Sequence, residues 1–256
     1  MLLWILIPVL ILTLLVGLAL LEGALRRNPR GGYEAGALFL FGRTYARLVH
    51  NLRVRGGDRI PAEREPGPLI VVCNHTAGLD PVVVQCPCPF YIRWMMAEDM
   101  RAPQLEWFWT WWGIFFVDRA KRTPGGFKSA IRHLRAGGVV GIFPEGAIER
   151  PPRQLLPFLP GLGVLIKKSH ARVLCVTIDG TPQYDPAWAS LWHTSQTVVH
   201  FRELIDYAES DLGPAEIVED LERRFAIWTN WPRNEDMESL VPDPDRVIPY
   251  GGLKAE

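Results

Sequence analysis

The chain begins with an unbroken apolar run. From Leu2 to Leu21 no side chain is charged, and Thr13 is the one polar group. At about 1.5 Å per residue a helix of that length covers roughly 30 Å, the thickness of a bilayer core. A cleaved signal peptide has a basic residue ahead of a shorter apolar core and a small-residue cleavage site behind it. The run lacks that pattern, so it predicts a retained anchor over residues 1–25. Pro8 marks a place where the helix kinks or turns back as a half-inserted hairpin. Eight arginines follow between positions 26 and 59 (Arg26, Arg27, Arg30, Arg43, Arg47, Arg53, Arg55, Arg59), against Glu34 and Asp58. Positive residues next to a span favour the cytoplasmic side and attract anionic lipid.

Gly31-Gly32 breaks the first helix. Leu38, Phe41, Tyr45, Leu48 and Val49 then recur at helical spacing, with Arg43 and Arg47 on another face. Residues 26–51 therefore read as a basic amphipathic segment. A helix on the membrane surface and a helix packed on the domain fit this pattern equally well.

From Leu52 the pattern changes to short apolar runs between helical stretches. Candidate strands are Leu52–Arg55, Leu69–Cys73, Phe90–Trp94, Gly113–Val117, Val139–Phe143, Val173–Ile178 and Thr197–Phe201. Continuous runs such as Leu69-Ile70-Val71-Val72 suit strands covered on both faces. Thr123 and Pro124 form a helix start, Phe127, Ala130, Ile131 and Leu134 a stripe, and Gly137-Gly138 an end. Phe158–Lys168 and Ala215–Asn230 are further helices. Strands alternating with helices predict an α/β domain over 52–231, with a mixed, mostly parallel sheet flanked by helices. Residues 232–256 are rich in Pro, Asp and Gly and read as a tail.

Composition narrows the class. Hydrophobic residues are 48% and charged residues 22%, which excludes a disordered chain. Lys+Arg and Asp+Glu are both 28, so bulk charge gives no support to nucleic-acid binding. Four cysteines (Cys73, Cys86, Cys88, Cys175) in 256 residues do not form a disulfide framework. Cys73, His75, Cys86 and Cys88 are conceivable zinc ligands, but their one-residue gaps depart from the usual spacing, and no metal is expected. The other histidines (His50, His133, His170, His193, His200) lack a neighbouring pattern.

Three segments carry candidate chemistry. Asn74-His75-Thr76-Ala77-Gly78-Leu79-Asp80 follows a strand directly, where α/β sheets build their sites. A carboxylate returning to one imidazole nitrogen fixes the tautomer and leaves the other nitrogen to take a proton. Arg119 ends the run Phe116-Val117-Asp118-Arg119 and presents a fork suited to phosphate or carboxylate. Phe143-Pro144-Glu145-Gly146 follows another apolar strand. Singly, each is also an ordinary turn or ion pair.

Together and in this order they resemble the blocks of the glycerophospholipid acyltransferase family, of the lysophosphatidate acyltransferase type. The His-x4-Asp block is His75 and Asp80, the arginine block ends at Arg119, and the Phe-Pro-Glu-Gly block is Phe143 to Gly146. A fourth, apolar block matches Val173–Ile178, followed by Gly180-Thr181. The resemblance covers about residues 52–205 and makes 52–231 an acyltransferase domain. Two departures stand out: Ala147 and Ile148 where Thr and a basic residue are usual, and Cys175 where Pro is common. Arg150 and Arg153 are the nearby cations that would stand in.

The resemblance implies direct acyl transfer, with His75 as general base and Asp80 orienting it. Arg119 would hold the acceptor's anionic group, with Glu145 and Gly146 shaping its pocket. The donor is acyl-CoA or acyl-carrier protein, a co-substrate and not a cofactor. The other partners are membrane lipid and a lysolipid acceptor, with no nucleic acid. Cys73 lies on the strand beside His75 and is not expected to act as a nucleophile. A different lipid acceptor and a non-catalytic lipid-binding protein are the rival readings. Trp94, Trp107, Trp109, Trp111 and Trp112 suggest membrane contact or an acyl-chain tunnel, against plain core packing.

Overall fold

In the computed structural model the described residues are 2–117, 125–184 and 186–234. The strands are β1 (Arg53–Arg55), β2 (Leu69–Cys73), β3 (Arg93–Ala97), β4 (Phe115–Val117), β5 (Val139–Ile142), β6 (Arg172–Asp179) and β7 (Val198–Ile205). The helices are α1 (Leu2–Arg26), α2 (Tyr33–Leu48), α3 (Asp80–Gln85), α4 (Glu106–Trp112), α5 (Gly125–Arg135), α6 (Gly161–Ser169) and α7 (Pro214–Thr229). One seven-stranded sheet runs β1-β7-β6-β2-β5-β3-β4. Every neighbouring pair is parallel except β6–β7.

The central strands are apolar throughout because both faces are covered. Along β2, Ile70 and Val72 face one core with Ala130, Leu165, Ile217, Leu221 and Phe225 of α5, α6 and α7. Leu69, Val71 and Cys73 face the other, with Ala46 of α2 and Val83 and Val84 of α3. The alternation is the period-two geometry of a strand.

Several boundaries move: β4 starts at Phe115 and not Gly113, β7 runs on to Ile205, and two further shifts sit beside local contacts. The expected strand Phe90–Trp94 begins at Arg93, because the Gln85 side chain holds the preceding residues. Gln85 Nε2 donates to Phe90 O (2.9 Å) and Ile92 N donates to Gln85 Oε1 (2.9 Å). The expected helix from Phe158 starts at Gly161, after Pro160, while Phe158 N donates to Glu222 Oε1 (2.5 Å) and Leu159 N to Pro144 O (2.8 Å). The expected helix start at Thr123 and Pro124 lies outside the described residues, as do 235–256 of the tail. Of the tail's opening, Arg233 bridges to Leu155, and Asn234 N donates to Leu155 O (2.8 Å).

The α1 window Val9–Arg26 is long and apolar enough to cross a membrane by length and composition, and none of it is buried. Asn28 builds the turn that follows: its amide donates to Leu25 O and Gly32 O, and its oxygen accepts from Arg30 N and Gly31 N. α2 then packs back on α1 so closely that a Cβ at Gly36 would lie 2.0 Å from Leu25 O. The packed stripe of α2 is Ala35, Gly36, Phe39 and Ala46, and its three small residues let backbones approach. The large apolar stripe expected to define that helix is displaced from it: Phe41 is 65% and Leu48 77% exposed. The helix both packs on the domain and presents apolar side chains outward. The tryptophans divide the same way, with Trp94 and Trp109 in the core and Trp107 70% exposed.

α6 meets the start of α7 at Gly163, where a Cβ would lie 1.9 Å from Pro214 O. Alanine in a helix interior is worth up to about 1 kcal/mol over glycine, but overpacking costs about 1–3 kcal/mol and backbone cannot yield as a side chain can. Gly163→Ala should therefore destabilise the domain by roughly 1–3 kcal/mol. Denaturant unfolding of the two proteins in the same detergent measures it, and an equal or higher midpoint for the variant would refute the close contact.

Candidate active site

The site lies at the carboxyl ends of β2, β5 and β6, where three loops meet. β2 stops at Cys73, and Asn74 ties its end to β6. Asn74 Nδ2 donates to Ile178 O (2.9 Å), and Ile178 N donates to Asn74 Oδ1 (2.8 Å). Both partners are fully buried, so this amide pair fixes the height at which the next residue emerges.

That residue is His75. Its Nδ1 lies 2.9 Å from Asp80 Oδ2. Asp80 Oδ2 also accepts from Thr76 N (2.6 Å) and Ala77 N (2.9 Å), and Oδ1 accepts from Thr76 Oγ1 (3.0 Å). Backbone amides only donate, so Asp80 is an acceptor here and the hydrogen between the two side chains belongs to the imidazole. Nε2 is left with its lone pair. The His75 side chain is 18% exposed, enough to meet a substrate, whereas Asp80 is fully buried. The Phe143 ring stacks on the imidazole, centroids 4.0 Å apart and planes 15° apart, and Trp94 stacks on Phe143 in turn at 4.8 Å. The ring is held on edge by Asp80 and on its face by Phe143.

The loop after β5 grips the His75 backbone. Glu145 Oε1 accepts from His75 N (2.9 Å), Oε2 accepts from Leu156 N (3.0 Å), and Glu149 N donates to His75 O (3.0 Å). Glu145 is thus buried, with both oxygens committed to main chain. Burial pushes its carboxyl well above the usual range, against the pull of those two amides. Gly146 sits at φ +69°, the left-handed region that favours glycine, in a turn closed by Gly146 N to Phe143 O (3.1 Å). Arg119 lies outside the described residues. Ala147 and Ile148 are half-buried in the same loop.

Three residues have contacts that the sequence does not reveal. The Phe143 ring, beyond its place in the Phe-Pro-Glu-Gly block, stacks on the imidazole. Thr181 is hydrogen-bonded through its hydroxyl to Thr76, joining the loop after β6 to the His75 loop. Glu149 is fully buried and accepts from Arg153 N (3.0 Å), Gln154 N (3.2 Å) and Gln183 Nε2 (2.8 Å). A second glutamate four residues after Glu145 was the available signal, but sequence does not reveal its burial. Arg153, considered as a substitute cation, instead pairs with Asp179 at 3.2 Å. Arg150 donates to Glu149 O (2.7 Å). Among the described residues no three His, Cys, Asp or Glu side chains gather as metal ligands. Cys73 is buried with its thiol pushed up by desolvation, which suits a structural and not a nucleophilic residue.

Burial raises Glu149 from 4.5 to about 7, with the nearby Asp80 charge adding to it and the three donors opposing. An acid whose folded value is raised binds its proton more tightly when folded. Its ionisation therefore withdraws stability as pH rises from about 4.5 through about 7. At 1.36 kcal/mol per unit the cost is about 3 kcal/mol above neutrality. Glu149→Gln should remove most of this decline, leaving a flatter stability curve between pH 5 and 8. Chemical unfolding of both proteins across that range tests it, and parallel curves would contradict the assignment.

A sequence model of the family described as Acyltransferase matches residues 51–179. A curated 1-acyl-sn-glycerol-3-phosphate acyltransferase of Borreliella burgdorferi is 28% identical over 137 residues, covering 51% of this chain and 52% of that protein. The chain thus spans about half the length of the curated relative it matches. The crystal structure of the 1-acyl-sn-glycerophosphate (LPA) acyltransferase PlsC from Thermotoga maritima superposes with a TM-score of 0.61 at 22% identity. That likeness covers 76% of this chain and 77% of the other, and it is a likeness of fold. The family match contains His75, Asp80, Arg119, Glu145 and Gly146 and takes in about half of the residues, and by it this chain belongs to the acyltransferase family.

Proposed function

We propose that this chain transfers a fatty acyl group from an acyl thioester to a hydroxyl of a lysophospholipid such as 1-acylglycerol-3-phosphate, in phospholipid biosynthesis. The observation that carries the reading is the His75–Asp80 pair, with Nδ1 bound to a buried carboxylate and the imidazole partly open to solvent.

The acceptor oxygen attacks the thioester carbonyl carbon while His75 Nε2 takes the hydroxyl proton. A hydroxyl is far less acidic than an imidazolium, whose ordinary pKa is about 6.5, so the proton moves during attack. Asp80 balances the imidazolium. The tetrahedral intermediate then collapses, the C–S bond breaks, and the thiolate leaves with the proton from Nε2. The new bond is the ester C–O bond, and no acyl-enzyme forms. Arg119 is assigned to the acceptor's anionic group.

The relatives named as 1-acylglycerol-phosphate acyltransferases support the lysolipid acceptor. Ala147 and Ile148 favour a second reading, in which the acceptor is another lipid hydroxyl or amine, because they bring no hydroxyl and no cation to the loop after β5. Membrane attachment rests on α1 and on the exposed Phe41, Leu48 and Trp107. The arginines after α1 favour a cytoplasmic catalytic face.

His75→Ala should lower transfer by about 10²–10⁴-fold, the range of a positioned general base, with unfolding unchanged. Mass spectrometry of membranes given an acyl-CoA pool and a lysolipid panel reads this directly. Retained activity would sink the mechanism, and the product formed names the acceptor. Arg119→Ala should weaken acceptor binding by about 2–5 kcal/mol, the loss typical of a truncated buried charge pair. An unchanged acceptor KM would remove Arg119 from that role.

A further inference from the structure

The connection between β6 and β7 reaches back over the His75–Asp80 turn. It carries a short 3-10 helix, Ala187–Trp192. Leu191 of that helix packs on the core that also meets Phe143, Trp94 and Tyr45 of α2. This is the sheet face on which the His75 imidazole stacks. Tyr184 and His193 close the base of the loop, their rings stacked with centroids 3.5 Å apart and planes 5° apart. Trp188 meets Trp109 of α4 at 5.7 Å. Compact loops whose ends meet and whose own side chains pack them are frequently functional.

Two contacts tie this loop to the turn that holds Asp80. The Thr181 hydroxyl meets that of Thr76. The Ala187 carbonyl lies directly against Gly78, in the middle of the turn. A Cβ at Gly78 would stand 2.5 Å from Ala187 O and 2.9 Å from its carbonyl carbon. Gly78 is not among the glycines at positive φ, so the turn needs glycine here for space and not for backbone freedom. The carbonyl is itself fixed, since the buried Ser190 hydroxyl donates to it (2.6 Å). Gly78 stands in the chain between Asp80 and the two amides that bind it, Thr76 N and Ala77 N. A displacement of Gly78 therefore moves the donors of the carboxylate bound to His75 Nδ1.

The other side of the loop is held by α2. The Tyr45 hydroxyl donates to Leu191 O. Just past that helix, His50 Nδ1 lies 2.8 Å from Ser195 Oγ, Ser195 N donates to Val49 O (3.3 Å) and Thr197 N to His50 O (2.9 Å). The loop is thus strung between α2, which follows α1, and the turn that carries the imidazole. Joining the two strands requires none of this. Asp179 pairs directly with Val198, and antiparallel neighbours can be linked by a two-residue hairpin.

We propose that this loop braces the His75–Asp80 turn, with Gly78 as its seat and Tyr45 as its anchor on α2. Both are positioning residues: they act through the turn and not on the substrate. The role rests on the acyl-transfer reading. A misplacement of about 1 Å can lower a rate about 10²-fold, so a brace of this kind acts on kcat and leaves substrate binding alone.

The test compares the full chain in phosphatidylcholine nanodiscs as wild type, Gly78→Ala, Tyr45→Phe and Gly163→Ala. Gly163 makes another close backbone contact, in α6 on the other face of the sheet, and its variant controls for loss of stability alone. Initial rates are measured with the donor and acceptor that the wild type uses, chosen from acyl-CoA, acylated carrier protein and a lysolipid panel. Gly78→Ala should lower kcat about 10–100-fold and Tyr45→Phe at least about threefold, with both KM values within about twofold of wild type. Gly163→Ala should keep kcat within about twofold. An unchanged kcat in Gly78→Ala or in Tyr45→Phe overturns the proposal, and so does an equal fall in Gly163→Ala. A rise in acceptor KM at constant kcat also overturns it, since the loop would then be a wall of the binding site. If Gly78→Ala does not fold, Tyr45→Phe decides. Hydrogen exchange of residues 76–80 gives a readout free of turnover. It should quicken in Gly78→Ala and Tyr45→Phe beyond any change in Gly163→Ala, and exchange that stays unchanged counts against the brace. If the wild type transfers to no acceptor, the acyl-transfer reading fails, and the exchange comparison still decides whether the loop holds the turn.

Discussion

The site depends on a buried carboxylate that is surrounded by donors. Asp80 receives the imidazole of His75, two backbone amides and the Thr76 hydroxyl, and has no contact with solvent. A carboxylate costs several kcal/mol to bury alone, and only a full set of hydrogen bonds offsets that. The turn from Thr76 to Asp80 therefore adopts the one path that supplies them. That path starts α3 at Asp80, followed by Pro81, and presents His75 at the end of β2. Folding and the geometry of the His75–Asp80 pair have the same cause here.

Around this turn the fold places a layered support. Asn74 locks β2 to β6, Glu145 holds the His75 amide, and the Glu149 amide holds its carbonyl. The Phe143 and Trp94 rings form a stack beneath the imidazole. A strand-end loop is usually a mobile part of a protein. Here the loops after β2, β5 and β6 are cross-linked by buried side chains, which suits the role proposed for His75.

Much of this was legible in the sequence. The central strands β2, β5 and β6 were marked by apolar runs, because strands covered on both faces need apolar residues at nearly every position. His75 and Asp80 were legible because a motif with fixed spacing encodes a local turn. The shift of β3 was not, since it follows from Gln85 satisfying the backbone of Phe90 and Ile92, a contact that periodicity does not encode. Nor was the packing face of α2, which is chosen by the close approach of Gly36 and Ala46 and not by the largest apolar side chains. Glu149 escaped for the same reason: its burial is a property of three loops meeting.

The order of strands also governs the timing of folding on the ribosome. Arg53 of β1 pairs with Val198, so the edge of the sheet is completed only after β7 has been synthesised. The first helix, in contrast, is available almost at once and needs no other part of the chain to form its hydrogen bonds. Chains emerge at about 5–20 residues per second, and contacts between distant residues form late. α1 is thus formed while the sheet behind it is still incomplete. Until β7 is made, the edges of β1 and β6 that it will cover stand open to other unfinished chains.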